Sequence, residues 1–117
     1  MLRYDAGQRY DEHHDYIEQQ AQTTYGSRIL TVFLYLSDVE AGGHTAFPRL
    51  EPPLSVAPRK GSVLLWPSTL DDLVTKEPAT LHAAMPVERG VKHAANVWIH
   101  RGNYRKANHM GCTGSFA

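Results

Sequence analysis

The chain has 117 residues, 42% of them hydrophobic, which is enough for one domain with a core and too little for two. Twelve Lys and Arg balance 12 Asp and Glu, and the only adjacent basic pairs are Arg59-Lys60 and Arg105-Lys106, which excludes the clustered basic face that nucleic acid requires. A single cysteine, Cys112, excludes an internal disulfide; no apolar run is long enough to span a membrane, and residues 1–20 lack the pattern of a signal peptide.

In chain order, the first signal is Tyr10 to Tyr16, predicted extended after the Gly7-Gln8 turn. Side chains two apart on a strand share a face, so His13 and Asp15 converge while His14 turns away. Glu12 to Gln22 carries only a weak helical hint, and Glu18 to Gly26 reads as a mobile loop at the mouth of the site. Arg28 to Ser37 is rich in β-branched and aromatic residues with apolar side chains on both parities, which predicts a strand covered on both faces. Asp38 to Gly43 breaks the run, with Gly42-Gly43 suited to a tight turn.

Leu54 to Ala57 and Ser62 to Trp66 are short strands about the basic turn Pro58 to Gly61, and the polar, acidic stretch Pro67 to Pro78 reads as a loop. Thr80 to Met85 is another short run, carrying His82. Pro86 to Gly90 is predicted to turn it into the last strand, so that His82 and Lys92 lie roughly across a hairpin. Along Val91 to Arg101 the even positions Lys92, Ala94, Asn96, Trp98 and His100 share one side, read as cavity-facing. The opposite side holds Val91, Ala95, Val97 and Ile99, suited to packing, with His93 as the exception. Residues 1–101 form the core; residues 102–117 form a tail without periodicity or functional reading. Short strands divided by glycine and proline turns predict a mainly β sandwich or jelly roll with few or no helices.

A His-x-Asp pair alone is common. Here His82 offers a second imidazole, and two histidines with one carboxylate leave positions open on a metal, the arrangement of non-haem Fe(II) oxygenases. A structural zinc site is more often closed by four ligands, usually with cysteines. Lys92, if buried, needs an anionic partner, which the remote carboxylate of a dicarboxylic co-substrate would supply.

Ordered blocks now match a known family: Arg3 to Tyr16 with its His13-His14-Asp15, Arg28 to Pro48 with Gly42-Gly43-His44-Thr45, Pro58 to Trp66, Leu81 to Val87, then Lys92 and Trp98-Ile99-His100. Over nearly its whole length the chain resembles the catalytic core of prolyl 4-hydroxylases of the plant and algal type, which are Fe(II)- and 2-oxoglutarate-dependent dioxygenases. The resemblance implies a double-stranded β-helix, cupin-like, with His13, Asp15 and His82 binding Fe(II). It implies that Lys92, with Tyr4 and Thr45, holds the distal carboxylate of 2-oxoglutarate. It assigns Arg28 and His100 to catalysis, and Tyr10 and Trp98 to the peptide substrate. The implied reaction is C4 hydroxylation of peptidyl proline with release of succinate and carbon dioxide, supported by ascorbate, and the implied location is the secretory pathway, endoplasmic reticulum or Golgi.

Two departures bear on specificity. His93 stands where relatives carry tryptophan, and the segment from Pro48 to Ser55 is shorter than in plant-type members. A dioxygenase of the same chemistry on another substrate, or a non-catalytic binding module of the same fold, are the alternatives. Relatives carry additional elements before the position of Tyr4, so an exposed sheet edge and self-association are expected here.

Overall fold

Ten short strands alternate with glycine- and proline-marked turns over residues 1–110, the part of the chain that the computed structural model describes. They are β1 (Leu2–Tyr4), β2 (Tyr10–His13), β3 (Arg28–Tyr35), β4 (Ala41–Gly42), β5 (Thr45–Phe47), β6 (Leu54–Val56), β7 (Val63–Pro67), β8 (His82–Ala84), β9 (Val87–Arg89) and β10 (Lys92–His100). A terminal helix α1 (Tyr104–His109) and two 3-10 turns, Glu18–Gln22 and Pro78–Thr80, complete the order. Cys112 and the end of the tail lie outside the described residues.

Antiparallel pairing builds one sheet in the order β1-β10-β3-β7, a second in the order β2-β8-β5-β6, and a ribbon of β4 with β9. Strands close in sequence thus alternate between the two layers, as expected for a jelly roll, the double-stranded β-helix. In the first sheet the register sets Ala94 opposite Tyr35, Asn96 opposite Phe33 and Trp98 opposite Thr31, so the even side of β10 and the odd side of β3 share the inner face. There Phe33, Tyr35, Phe47, Trp66 and Ala94 form the buried core, flanked by Leu2, Leu50, Val56 and Leu64. Its rings meet edge-on, Phe33 with Tyr35 at 5.1 Å and Phe47 with Trp66 at 5.3 Å, the geometry that aromatic quadrupoles favour.

The outer face of this sheet differs from expectation. Val97 and Ile99 are 51% and 42% exposed, and Val63 and Leu65 on β7 are 53% and 59% exposed. Parity correctly divides inside from outside, but nothing among the described residues covers the apolar outer set.

The relation of His82 to Lys92 also differs. Pro86 to Gly90 is not a simple turn, because Val87–Arg89 forms β9 and pairs with β4, with Ala41 opposite Arg89. The chain crosses between layers there, so His82 sits in the second sheet and Lys92 in the first. Glu18 to Gly26 is likewise organised: Gln20 and Tyr25 are buried, and Thr23 Oγ1 donates to Gln20 O at 2.7 Å.

The crossing depends on Gly42. Its φ is +78°, and a Cβ there would stand 2.5 Å from the Pro86 carbonyl oxygen and 2.7 Å from Glu88 N. Gly42→Ala therefore meets both a disfavoured backbone conformation and a backbone clash, and is expected to cost about 2 kcal/mol or more. Urea melts of the two proteins check this; a midpoint unchanged by the substitution would show that the ribbon yields without strain.

Candidate active site

Three side chains, from two paired strands and the bend that follows one of them, form the centre. His13 closes β2, His82 opens β8, and the two residues are paired in the second sheet. The extended run expected from Tyr10 to Tyr16 stops at His13, and Asp15 lies at a bend two residues beyond β2, 6% exposed. Its Oδ1 stands 3.7 Å from His13 Nε2 and 3.6 Å from His82 Nε2, and the three candidate ligand atoms all lie within 4.8 Å of one another.

The hydrogen bonds fix what these atoms can do. His13 Nδ1 donates to Asp11 O at 2.7 Å and His82 Nδ1 donates to Thr80 O at 2.8 Å. With Nδ1 protonated, each neutral ring turns the lone pair of Nε2 toward the carboxylate. Thr31 Oγ1 donates to Asp15 Oδ2 at 2.6 Å, leaving Oδ1 to face the imidazoles. Three electron-pair donors converging at separations too long for hydrogen bonds suit a shared cation, and the outer partners hold them in position for it. Burial pushes the Asp15 carboxyl up, but His82 when protonated, the Thr31 hydroxyl and His13 when protonated outweigh it and hold it below its ordinary value. Burial lowers His13, against the opposing effect of the Asp11 carbonyl. Both shifts favour the ligating forms. The residues therefore fit a divalent metal with nitrogen and oxygen preference, Fe(II) included.

Lys92 faces the interior from the first sheet, opposite Tyr4 in the register of β1 with β10. It is 1% exposed, and its Nζ has no hydrogen-bond partner among the described residues. The rings of Tyr4, Phe33 and Tyr35 stand 5.3, 5.5 and 5.7 Å from Nζ. Such ring faces attract a cation but do not replace a counter-ion. Desolvation pushes the ammonium down to about 8. Thr45, on β5, shares a 2.6 Å hydrogen bond with the Tyr35 hydroxyl. Burial raises both Tyr4 and Tyr35, keeping the two phenols protonated as donors.

A cavity of about 440 Å³ joins most of these groups; its walls include Tyr4, Tyr10, His13, Asp15, Arg28, Thr45, His82 and Trp98. Lys92 lies behind this wall, sheathed by Tyr4 and Phe33, which do line the space. Arg28 places its guanidinium 3.7 Å from the centre of the Trp98 ring. Tyr10 is 53% exposed, and its ring lies tilted against that of His13 at 4.1 Å. His100 is set apart: it donates from Nδ1 to Gly26 O at 3.0 Å, stacks on Tyr104 at 4.3 Å, and does not line the cavity.

Several contributors escaped sequence reasoning. Thr31 and Tyr35 lie on the inward parity of β3 and were legible as cavity-facing only once that strand's inner face was known. Asn96 and Trp98, already read from parity as cavity-facing, line the cavity with Oδ1 and Nε1 buried and without partners among the described residues. Trp66, read simply as part of a strand, packs its ring 4.6 Å from His82.

The sequence matches the 2OG-Fe(II) oxygenase superfamily over residues 1–100. It is 38% identical to the probable prolyl 4-hydroxylase 3 of Arabidopsis thaliana, over 90% of this chain and 42% of that protein. It is 35% identical to prolyl 4-hydroxylase 2 of the same plant, over 91% of this chain and 42% of the relative. Among solved structures it is similar to the viral collagen prolyl hydroxylase of Paramecium Bursaria Chlorella virus-1 in complex with 2OG, with a TM-score of 0.74 and 33% identity. That match covers 84% of this chain and 55% of the viral one. The chain thus spans under half the length of these plant relatives.

Proposed function

The chain belongs to the 2OG-Fe(II) oxygenase superfamily, and from that premise we propose that it hydroxylates peptidyl proline at C4, converting 2-oxoglutarate to succinate and carbon dioxide. The observation that carries this reading is the buried ammonium of Lys92, without a counter-ion among the described residues, facing inward from one sheet while His13 and His82 of the other converge with Asp15.

Bound Fe(II) would supply the activation of oxygen that couples decarboxylation to hydroxylation. The protein's part is to hold and exclude. His13 and His82 Nε2 and Asp15 Oδ1 would hold the metal, each donor fixed in direction by its own hydrogen bond to Asp11, Thr80 or Thr31. Lys92 supplies charge to the distal carboxylate of 2-oxoglutarate, and the hydroxyls of Tyr4 and Thr45 supply hydrogen bonds. Arg28, stiffened against Trp98, and Trp98 Nε1, without a partner among the described residues, suit the carbonyls of a peptide strand; Tyr10 suits the proline ring. His100 is a positioning residue in this reading, holding the Gly26 backbone next to Ser27 and Arg28. Ascorbate, as the reductant that restores Fe(II), belongs to the same proposal. Self-association through a sheet edge is supported by β1 and β7, which end the first sheet, and by the half-exposed apolar residues on its outer face.

The test is succinate release with Fe(II) and ascorbate, with and without a proline-rich peptide. Peptide-dependent succinate with one oxygen added to proline supports the proposal. Turnover indifferent to peptide would assign the site to another substrate, and no turnover would favour a binding module.

Acidity supplies a second test. Lys92 titrates near 8 in the folded protein and at 10.5 ordinarily. A carboxylate that needs the ammonium binds fully below about pH 8 and weakens as the pH climbs through that value. Unliganded stability runs the other way. The unfolded chain keeps its proton up to 10.5, so the penalty of the buried charge is complete below about 8 and disappears between there and 10.5, where stability rises with pH. Calorimetric titration of 2-oxoglutarate and melting of the free protein from about pH 7 to about pH 9.5 should show these opposite slopes. A flat affinity would separate Lys92 from the co-substrate.

A further inference from the structure

The stretch from Pro67 to Pro78, read in the sequence as a loop, is a pinned hairpin. Thr69 bridges Lys76, Leu70 N donates to Thr75 O at 2.8 Å, and Glu77 N donates to Ser68 O at 3.0 Å. At its tip Asp72 accepts from Val74 N, Thr75 N and the Thr75 hydroxyl, and holds Leu73 at a φ of 59°, the left-handed region that leucine rarely adopts. This organisation keeps apolar side chains in solvent: Leu70, Leu73 and Val74 are 41%, 43% and 42% exposed.

The tip is also fastened to the site. The Tyr16 hydroxyl donates to Val74 O at 2.9 Å, and Tyr16 follows Asp15 directly. On the same segment Ile17 lines the cavity, and so does His14, which strand parity alone turns away from it. A rigid apolar projection tied beside the mouth of a reaction cavity is what a groove for an extended chain needs at its rim, because pre-ordered apolar surface binds without the entropy loss of ordering a loop.

We propose that the hairpin from Ser68 to Glu77 is one jaw of the substrate groove, its Leu73-Val74 tip seating an apolar side chain that flanks the reacting residue of the peptide. The inference rests on the peptide-hydroxylation reading above and adds a specificity element to it. The side-chain preference resides in the hairpin, while the chemistry resides in the cavity.

The experiment compares proline-containing peptides that carry leucine or serine at successive distances from the proline, using the parent chain and the variants Leu73→Asn and Leu73→Met. Asparagine tolerates the left-handed backbone, so it removes the apolar surface without distorting the tip. For the parent, one leucine position should lower the peptide KM about tenfold relative to serine, the scale of one well-seated apolar side chain. Leu73→Asn should erase that difference and Leu73→Met should keep it, with kcat at saturating peptide unchanged. An equal preference in parent and Leu73→Asn overturns the jaw while leaving peptide hydroxylation intact. A parent that turns over 2-oxoglutarate but hydroxylates none of the peptides overturns the hydroxylation reading itself, and the jaw with it.

Discussion

Replacing His82 with alanine is expected to eliminate turnover and to weaken divalent metal binding by more than about hundredfold, beyond the loss usual for an outer-shell partner. His82 Nε2 is the better-shielded of the two imidazole donors, since His82 is 5% exposed whereas the His13 side chain is 30% exposed. Without it, Asp15 faces only His13 across 3.7 Å, and two ligands bind a divalent ion poorly in competition with water. The same ring packs on Trp66 and lies 5.7 Å from Phe47, so the substitution also opens space in the core. Mn(II) titration followed by electron paramagnetic resonance separates these effects when paired with a thermal melt. Weak metal binding in a still cooperative fold assigns His82 to the ligand set. Retained affinity would remove it.

Lys92→Met is expected to separate co-substrate binding from stability in opposite directions. Losing a buried partner for a carboxylate costs about 2–5 kcal/mol of binding, so 2-oxoglutarate affinity should fall by at least about thirtyfold with metal affinity unchanged. The unliganded protein should become more stable by about 1–2 kcal/mol, because a methionine of similar length fills the space among Tyr4, Phe33 and Tyr35 without the desolvation penalty of an unpaired charge. Calorimetry with the metal present, and urea melts without ligand, measure the two. A variant that loses both affinity and stability would make Lys92 a structural cation held by its aromatic sheath.

The chemistry-bearing residues were legible because strand parity is short-range physics. Lys92, Asn96 and Trp98 share a side before any tertiary contact is known; the same rule pairs His13 with Asp15, although the strand ends at His13 and Asp15 reaches the site from a bend. The layered fold was legible for a similar reason, since short β-rich runs between glycine and proline turns have few ways to bury one face each. What parity does not carry is pairing. Val87–Arg89 reads as part of a turn because its partner, Ala41–Gly42, is far away in sequence, and this alone misplaced His82 and Lys92 as neighbours on one hairpin. His100 shows the same limit at smaller scale. It keeps the inward phase, but the register shifts between Ile99 and His100, and the imidazole comes to rest against Tyr25 and Tyr104 instead of the cavity. The apolar outer side of β10 was read as packed; parity names a side without naming what lies against it.

The placement of the candidate anchor and the candidate metal ligands in different layers makes the interior of the sandwich a measuring device. Facing sheets stand about 10 Å apart, a distance set by the side chains between them. Here those spacers are Phe33, Phe47 and Trp66: Phe47 meets Trp66 across the gap, and Trp66 lies beside Phe33 within the first sheet. A molecule that must reach His13, Asp15 and His82 with one end and Lys92 with the other is sorted by its length. Four- and six-carbon homologues of 2-oxoglutarate would be discriminated by core packing, with no residue dedicated to rejecting them.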